Sequence, residues 1–308
     1  DAEIPTYGAK VSSAKIKFNE NNINLISSGN MINTDYNLNA DIVNSVIMPV
    51  KVKNFTFHTK YLNLDNCIDT VNKWSIDAYM NSSLQSNVSF DISDIIIDRG
   101  FLKVDNMDYK SVPITNINSK ISIDTNSVLK IDVDDFDMAG GKVSSNIRYK
   151  MKDGSTNIKM EAKGVDSNIV AHSFMGLKNQ IQGDFTGSVN LKTKGFDSIE
   201  QLENLSGNAE FYINDGSMPK LGSLEYLLRA GNLIKGGITS LSMNGIIDVI
   251  TPMKTGEFSS IDGRLRLKDG IIKTVEIRTL GKNLNLYVIG SINLTSQVAD
   301  MHVFLQFL

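Results

Sequence analysis

Three histidines, one cysteine and a scatter of carboxylates are the residues of this chain suited to chemistry, and their spacing brings none of them together. His58, His172 and His302 lie far apart, and none sits in an HExxH or comparable ligand pattern. Each reads as a structural or surface residue. Cys67 stands alone, so no internal disulfide is available, and on an amphipathic segment it reads as a small core residue. Gly140-Gly141-Lys142 resembles a phosphate loop only superficially: Phe136 stands where the first glycine belongs, and Val143 where Ser or Thr is needed. The acidic run Asp132-Val133-Asp134-Asp135-Phe136-Asp137 fails as an EF-hand because Phe136 replaces an oxygen ligand, and it reads as a solvated turn. Sequons at Asn81-Ser82-Ser83 and Asn293-Leu294-Thr295 are expected by chance in a chain holding 32 asparagines. No acid–base pair or nucleophile constellation stands out. The expectation is a protein that is not an enzyme and holds neither cofactor nor metal.

Composition narrows the class further. With 308 residues, 41% of them hydrophobic and 21% charged, the chain can bury a sizeable core. Its net charge of −3 leaves no basic surface for nucleic acid. Charge is uneven, with six basic and thirteen acidic residues in 61–140 against nineteen and sixteen in 141–308. Aromatics at 7% argue against a stacking platform for bases or sugars. No apolar stretch reaches the length of a bilayer-spanning helix. The chain opens Asp1-Ala2-Glu3 and reads as a piece of a longer protein, with any export signal or anchor outside it.

The elements are written in period-2 alternation. Tyr36-Leu38-Ala40-Ile42, Phe55-Phe57, Val88-Phe90-Ile92, Leu129-Ile131-Val133, Val189-Leu191, Ala209-Phe211-Ile213 and Met301-Val303-Leu305-Phe307 each place apolar side chains on one face of a strand. Asp153-Gly154, Asp215-Gly216 and Asp269-Gly270 read as hairpin turns. Helices are few. One runs from Asp65, placed to cap it, to Trp74. A second follows Asp166-Ser167 through Ile169, Val170, Phe174 and Leu177. The longest opens at Pro219 and stops before Gly236-Gly237.

The two inventories do not balance. Roughly fifteen strands with an apolar face exceed what three short helices can cover. A second sheet, closure into a barrel, or an apolar ligand must occupy the remaining face. An internal repeat adds direction: Val128 to Tyr149 and Ile271 to Leu294 both read as strand, Gly-containing turn, strand, as in a structure that grows along one axis.

The order of segments then resembles a known family. Phe136-Asp137-Met138-Ala139-Gly140-Gly141-Lys142-Val143-Ser144 looks like the strand–Gly-Gly–strand unit of AsmA-like proteins. Gly164-Val165-Asp166 opening a helix, followed by Ile181-Gln182-Gly183-Asp184-Phe185-Thr186-Gly187, is similar to the family too. Its most specific block is Leu205-Ser206-Gly207-Asn208-Ala209-Glu210-Phe211-Tyr212-Ile213-Asn214-Asp215-Gly216-Ser217 before an amphipathic helix, closed by Phe258-Ser259-Ser260-Ile261-Asp262-Gly263 and Leu267-Lys268-Asp269-Gly270-Ile271. The likeness covers about 90–308, so the chain divides into an N-terminal β-rich segment, 1–90, and an AsmA-like region, 91–308.

The resemblance implies a mainly β fold, a long antiparallel meander or curled sheet forming an elongated apolar groove, with a few short helices. It implies a periplasmic location in a diderm bacterium, anchored in the inner membrane by a helix outside this segment. By similarity to eukaryotic chorein-type bridge proteins, it implies that phospholipid acyl chains are the partner and that transfer supports outer-membrane biogenesis, with outer-membrane or other envelope proteins as further partners. The rival expectation is a structural or assembly protein with a closed dry core; an enzyme on a β-helix acting on polysaccharide ranks below both. The expected groove lining is Leu265, Leu267, Val275, Ile277, Leu284, Leu286, Val288, Ile292 and Leu294, on alternating positions of the most family-like strands. Leu221, Leu224, Leu227, Leu228, Leu233 and Ile234 form an apolar helical stripe expected to act as a lid or gate.

Overall fold

The computed structural model describes residues 2–4, 9–43, 48–70, 94–175, 179, 181–218, 256–282, 284–296 and 298–308. Of these, 75% are strand and 9% helix. The strands are β1 (Ala2–Ile4), β2 (Ala9–Phe18), β3 (Asn22–Met31), β4 (Thr34–Val43), β5 (Val50–Asn63), β6 (Ile95–Tyr109), β7 (Val112–Ile123) and β8 (Val128–Met138). They continue as β9 (Gly141–Lys150), β10 (Ser155–Asp166), β11 (Gln182–Thr193), β12 (Ser206–Ser217), β13 (Glu257–Lys268), β14 (Ile271–Gly281), β15 (Leu284–Asn293) and β16 (Val298–Phe307). Three short helices accompany them: α1 over 64–70, α2 (Ser167–Met175) and α3 (Ser198–Glu203). The strands form one sheet whose spatial order follows the chain, β1 through β16. That is the long meander the alternation predicts.

One pair departs from it. β5 and β6 run parallel, Val50 beside Ile95 and Asn63 beside Asp108. A parallel neighbour requires a crossover connection, and residues 64–94 supply its length. Helix α1 begins that connection. Its cap is Asn63, whose Oδ1 accepts from the Asn66 N–H at 2.9 Å, and not Asp65 as expected. The Asp65 carboxylate instead accepts from the Lys110 N–H at 2.8 Å and ties the helix to the β6–β7 turn.

The two-residue turns are left-handed at both positions, as paired strands with right-handed twist demand. Ala139-Gly140 joins β8 to β9 (φ 48° and 81°), and Asp269-Gly270 joins β13 to β14 (φ 52° and 70°). The same geometry appears at Ile32-Asn33 (53° and 58°) and Lys110-Ser111 (49° and 63°), where no Gly marks it. Asp215-Gly216 is not a turn. It lies inside β12, where Asp215 at φ 44° sits beside a register shift between β11 and β12. A left-handed residue suits a bulge as well as a turn, so the dipeptide alone does not separate them. Helix α3 lacks a strong apolar period; Asp197 makes it, its carboxylate accepting from the Ile199 and Glu200 N–H groups.

Contacts divide the described chain into two compact units. The first takes β1 to β8, most of β9 and the first half of β10; the second takes the rest of β10, β11 to β16, α2 and α3. In the first, register aligns Leu25, Ala40 and Phe55, then Ser27, Leu38, Phe57 and Leu102, on one face. The other face carries Asn24, Asp41 and Asn54, joined by side-chain hydrogen bonds. A core cluster there is Val104, Ile114 and Ile117, with Val133, Phe136 and Met138 packed against them. The second unit packs around Ile213, Phe258 and Ile261. The expected lid stripe, from Leu221 to Ile234, lies outside the described residues, as do Val71, Trp74 and the Val88-Phe90-Ile92 strand.

Candidate functional site

The candidate face belongs to β11–β16, and hydrogen-bond register builds it row by row. Directly opposed residues of neighbouring strands share a face. One row runs Gly187, Phe211, Gly263, Ile277, Val288, Val303; the next runs Phe185, Ile213, Ile261, Thr279, Leu286, Leu305. On the other side lie Val189, Ala209, Leu265, Val275 and Met301, then Leu191, Leu267, Ile272 and Ile292. All four rows are apolar apart from Thr279 and the glycines. The reverse face carries rows such as Ser188, Glu210, Arg264, Glu276.

Of the nine expected lining residues, register puts Leu265, Leu267, Val275, Ile277, Leu284, Leu286, Val288 and Ile292 on this single face. Leu294 is separate: it lies in the turn after β15, its N–H donating to the Gly270 carbonyl at 3.0 Å. Residues of β11, β12 and β16, which alternate equally well, complete the rows. Alternation says that Phe211 and Ile213 share a face, but only pairing says that the face is that of Val288.

Burial across these rows is graded. Leu284 and Val275 are fully buried, at 0% and 2% exposure. Leu286, Val288 and Ile292 stay partly exposed, and Val303 and Leu305 are open at 55% and 39%. A sheet face sealed under a second layer would hold the whole inward row dry. Two aromatic rings sit on the face: Phe185 and Phe211 stack at 6.2 Å between centroids. Gly263 is required beside them, because a Cβ there would stand 2.2 Å from the Phe211 ring.

Among the described residues, the ion pairs lie off these apolar rows. In the second unit Arg278 pairs with Glu276 at 2.8 Å and lies over the Tyr287 ring, and the Glu276 hydrogen bond raises its pKa. In the first unit His58 meets Asp105 at 3.0 Å, and that contact holds the Asp105 carboxyl below its ordinary value. His172 falls in α2 and His302 in β16, well apart in the chain from each other and from His58. Cys67 lies in α1, where burial pushes its thiol pKa up. Among the described residues, no three His, Cys, Asp or Glu side chains are grouped to hold a metal ion.

In the second unit the sheet presents an apolar face over β11–β16 and a charged reverse, a β-protein organised by its surface. The model of the AsmA family matches residues 68–277, more than half of the chain, and this chain belongs to the AsmA family. AsmA family proteins are bacterial envelope proteins, and an envelope location is consistent with that membership. No curated protein and no solved structure matches the chain.

Proposed function

We propose that this chain is a lipid-binding segment of a bridge-like phospholipid transfer protein, working in the periplasm and anchored to the inner membrane by a part outside this sequence. Acyl chains lie along the apolar face of β11–β16, and headgroups stay in water at its border. The supporting observation is the set of four aligned apolar rows whose members Leu286, Val288 and Ile292 remain partly exposed. Moving an acyl chain from water onto such a surface gains about 0.8 kcal/mol per buried CH₂. The reading assigns binding and no catalysis. In it, the face forms part of an elongated groove, and envelope proteins at either membrane are the partners.

Lipid extraction and native mass spectrometry of the full chain, purified without detergent, test the proposal. Stoichiometric phospholipid is expected. A lipid-free, monodisperse protein that takes up none from vesicles refutes it and favours a structural protein with a closed dry core.

A further inference from the structure

The second unit holds a shallow cleft of about 440 Å³ whose lining includes Tyr212 of β12. Tyr212 is 43% exposed and offers an open ring beside polar side chains. Register places Thr186 and Asp262 on either side of it, with Ser188, Glu210 and Arg264 forming the adjacent row. Along this sheet neighbouring strands lie about 4.8 Å apart, so all six side chains fall within reach of one small ligand.

Several groups lining the cleft have bonding capacity left over. Other surface charges are paired, among them Arg278–Glu276, Lys282–Glu257 and Lys142–Asp137. Among the described residues, the Glu210, Asp262 and Arg264 side chains enter no hydrogen bond or ion pair, although they occupy adjacent strands. Among the described residues the Tyr212 hydroxyl has no partner either. Thr186 accepts from the Gly164 N–H at 3.3 Å and keeps its own O–H to donate. An open ring is thus flanked by acceptors, a guanidinium donor and hydroxyls, with Asp262 standing opposite Arg278 on its other side.

We propose that this cleft binds a neutral glycan, one pyranose ring stacked on Tyr212. The apolar C–H face of a pyranose matches an exposed aromatic ring. Its hydroxyls donate to Glu210 and Asp262 and accept from Arg264, charge-assisted bonds that a hydrocarbon cannot make. Glu161 and Lys163 also line the cleft, so a polyanion would meet three carboxylates for two cations, and a lipid tail would leave the polar groups without partners. A low overall aromatic content rules out a broad stacking platform but leaves room for one subsite. Register puts Tyr212, Glu210, Asp262 and Arg264 on the face opposite the apolar rows, which suits a segment held against an envelope polysaccharide.

Titration of the full chain with cellotetraose, maltotetraose and tetra-N-acetylchitotetraose, read by saturation-transfer NMR and calorimetry, tests the site. At least one is expected to bind saturably, with Tyr212→Ala weakening it about tenfold or more and Tyr212→Phe changing it less than about threefold. Asp262→Asn, a surface change that leaves the ring in place, is expected to weaken it about fivefold or more. Saturable binding by none of the three overturns the proposal, as does full affinity in both Tyr212→Ala and Asp262→Asn. Retention of an envelope protein through Tyr212, with no glycan bound, equally overturns it.

Discussion

Leu286 is the most informative position on the apolar face. It stands between Thr279 and Leu305 in its row and is partly exposed, whereas Leu284, two residues before it on the same face, is fully buried. Replacing Leu286 with Asp should therefore leave the sheet folded, because the carboxylate can reach water when no ligand is present. The cost to folding is the partial loss of one leucine's burial, about 1–2 kcal/mol from a full value of about 1.5–3 kcal/mol. With an acyl chain seated on the face, the same carboxylate is desolvated without a partner, which costs a further few kcal/mol. That desolvation cost alone predicts a loss of lipid affinity of at least about tenfold, since about 1.4 kcal/mol is a factor of ten. A photoreactive residue at Ile277, whose row neighbour is Val288, reports lipid as a covalent adduct. The Leu286→Asp variant should keep its circular dichroism and lose most of the adduct. Leu284→Asp, at a dry site, should unfold instead. Undiminished adduct in folded Leu286→Asp refutes a lipid-wetted face, and unfolding of Leu286→Asp would mean that this row is dry core after all.

Three further predictions rest on local features. The Ser167 hydroxyl is buried at 3% exposure with no hydrogen-bond partner among the described residues, so Ser167→Ala should raise stability by about 1 kcal/mol in urea unfolding; a loss of that size would show the hydroxyl to be bonded. Ile32 holds φ 53°, costly for a β-branched residue, and Ile32→Asn should stabilise the β3–β4 hairpin by about 1 kcal/mol, an unchanged or lower urea midpoint counting against strain there. The carboxyls of Asp41, Asp105, Asp137 and Asp153 are held below the usual 3.8, by Asn24, His58, Lys142 and Lys150 respectively, with Asp153 lowered to about 2. Their folded pKa values lie below the unfolded ones, so their stabilisation is complete above the ordinary carboxylate range and is lost as pH falls through it. The urea midpoint should stay flat from about pH 7 to 5 and drop below about pH 4; a decline already present at pH 6 would require a different group.

How much of this was legible in the residues follows from what alternation encodes. A period of two fixes which side chains of a strand share a face, so the apolar rows of Leu284-Leu286-Val288 or Ala209-Phe211-Ile213 were readable from the chain alone. So were the Asp269-Gly270 turn, the helix after Asp166, and the surplus of sheet over helix. Family membership was legible too, because glycines at fixed places between strands are a sequence pattern. The turns at Ile32-Asn33 and Lys110-Ser111 were not, since their left-handed backbone is imposed by the pairing of flanking strands on residues with no preference for it. Nor was the direction of β6: parallel and antiparallel neighbours alternate alike, and the choice rests on a crossover closed by contacts distant in sequence.

The two candidate sites divide along the same line. A single strand names the members of a face, but register decides which strands' faces join, and one bulge reverses the answer. The shift between Ile272 and Val275 shows this, for it keeps Ile272 and Val275 on one face although their spacing would oppose them. The cleft at Tyr212 belongs wholly to the tertiary structure. Glu210, Asp262 and Arg264 lie up to fifty-four residues apart and are polar residues like dozens of others until β12 and β13 pair. Local propensity acts over a few residues and so writes strands, turns and caps into the sequence. Long-range pairing, whose energy no short window contains, chose the neighbours and with them every site.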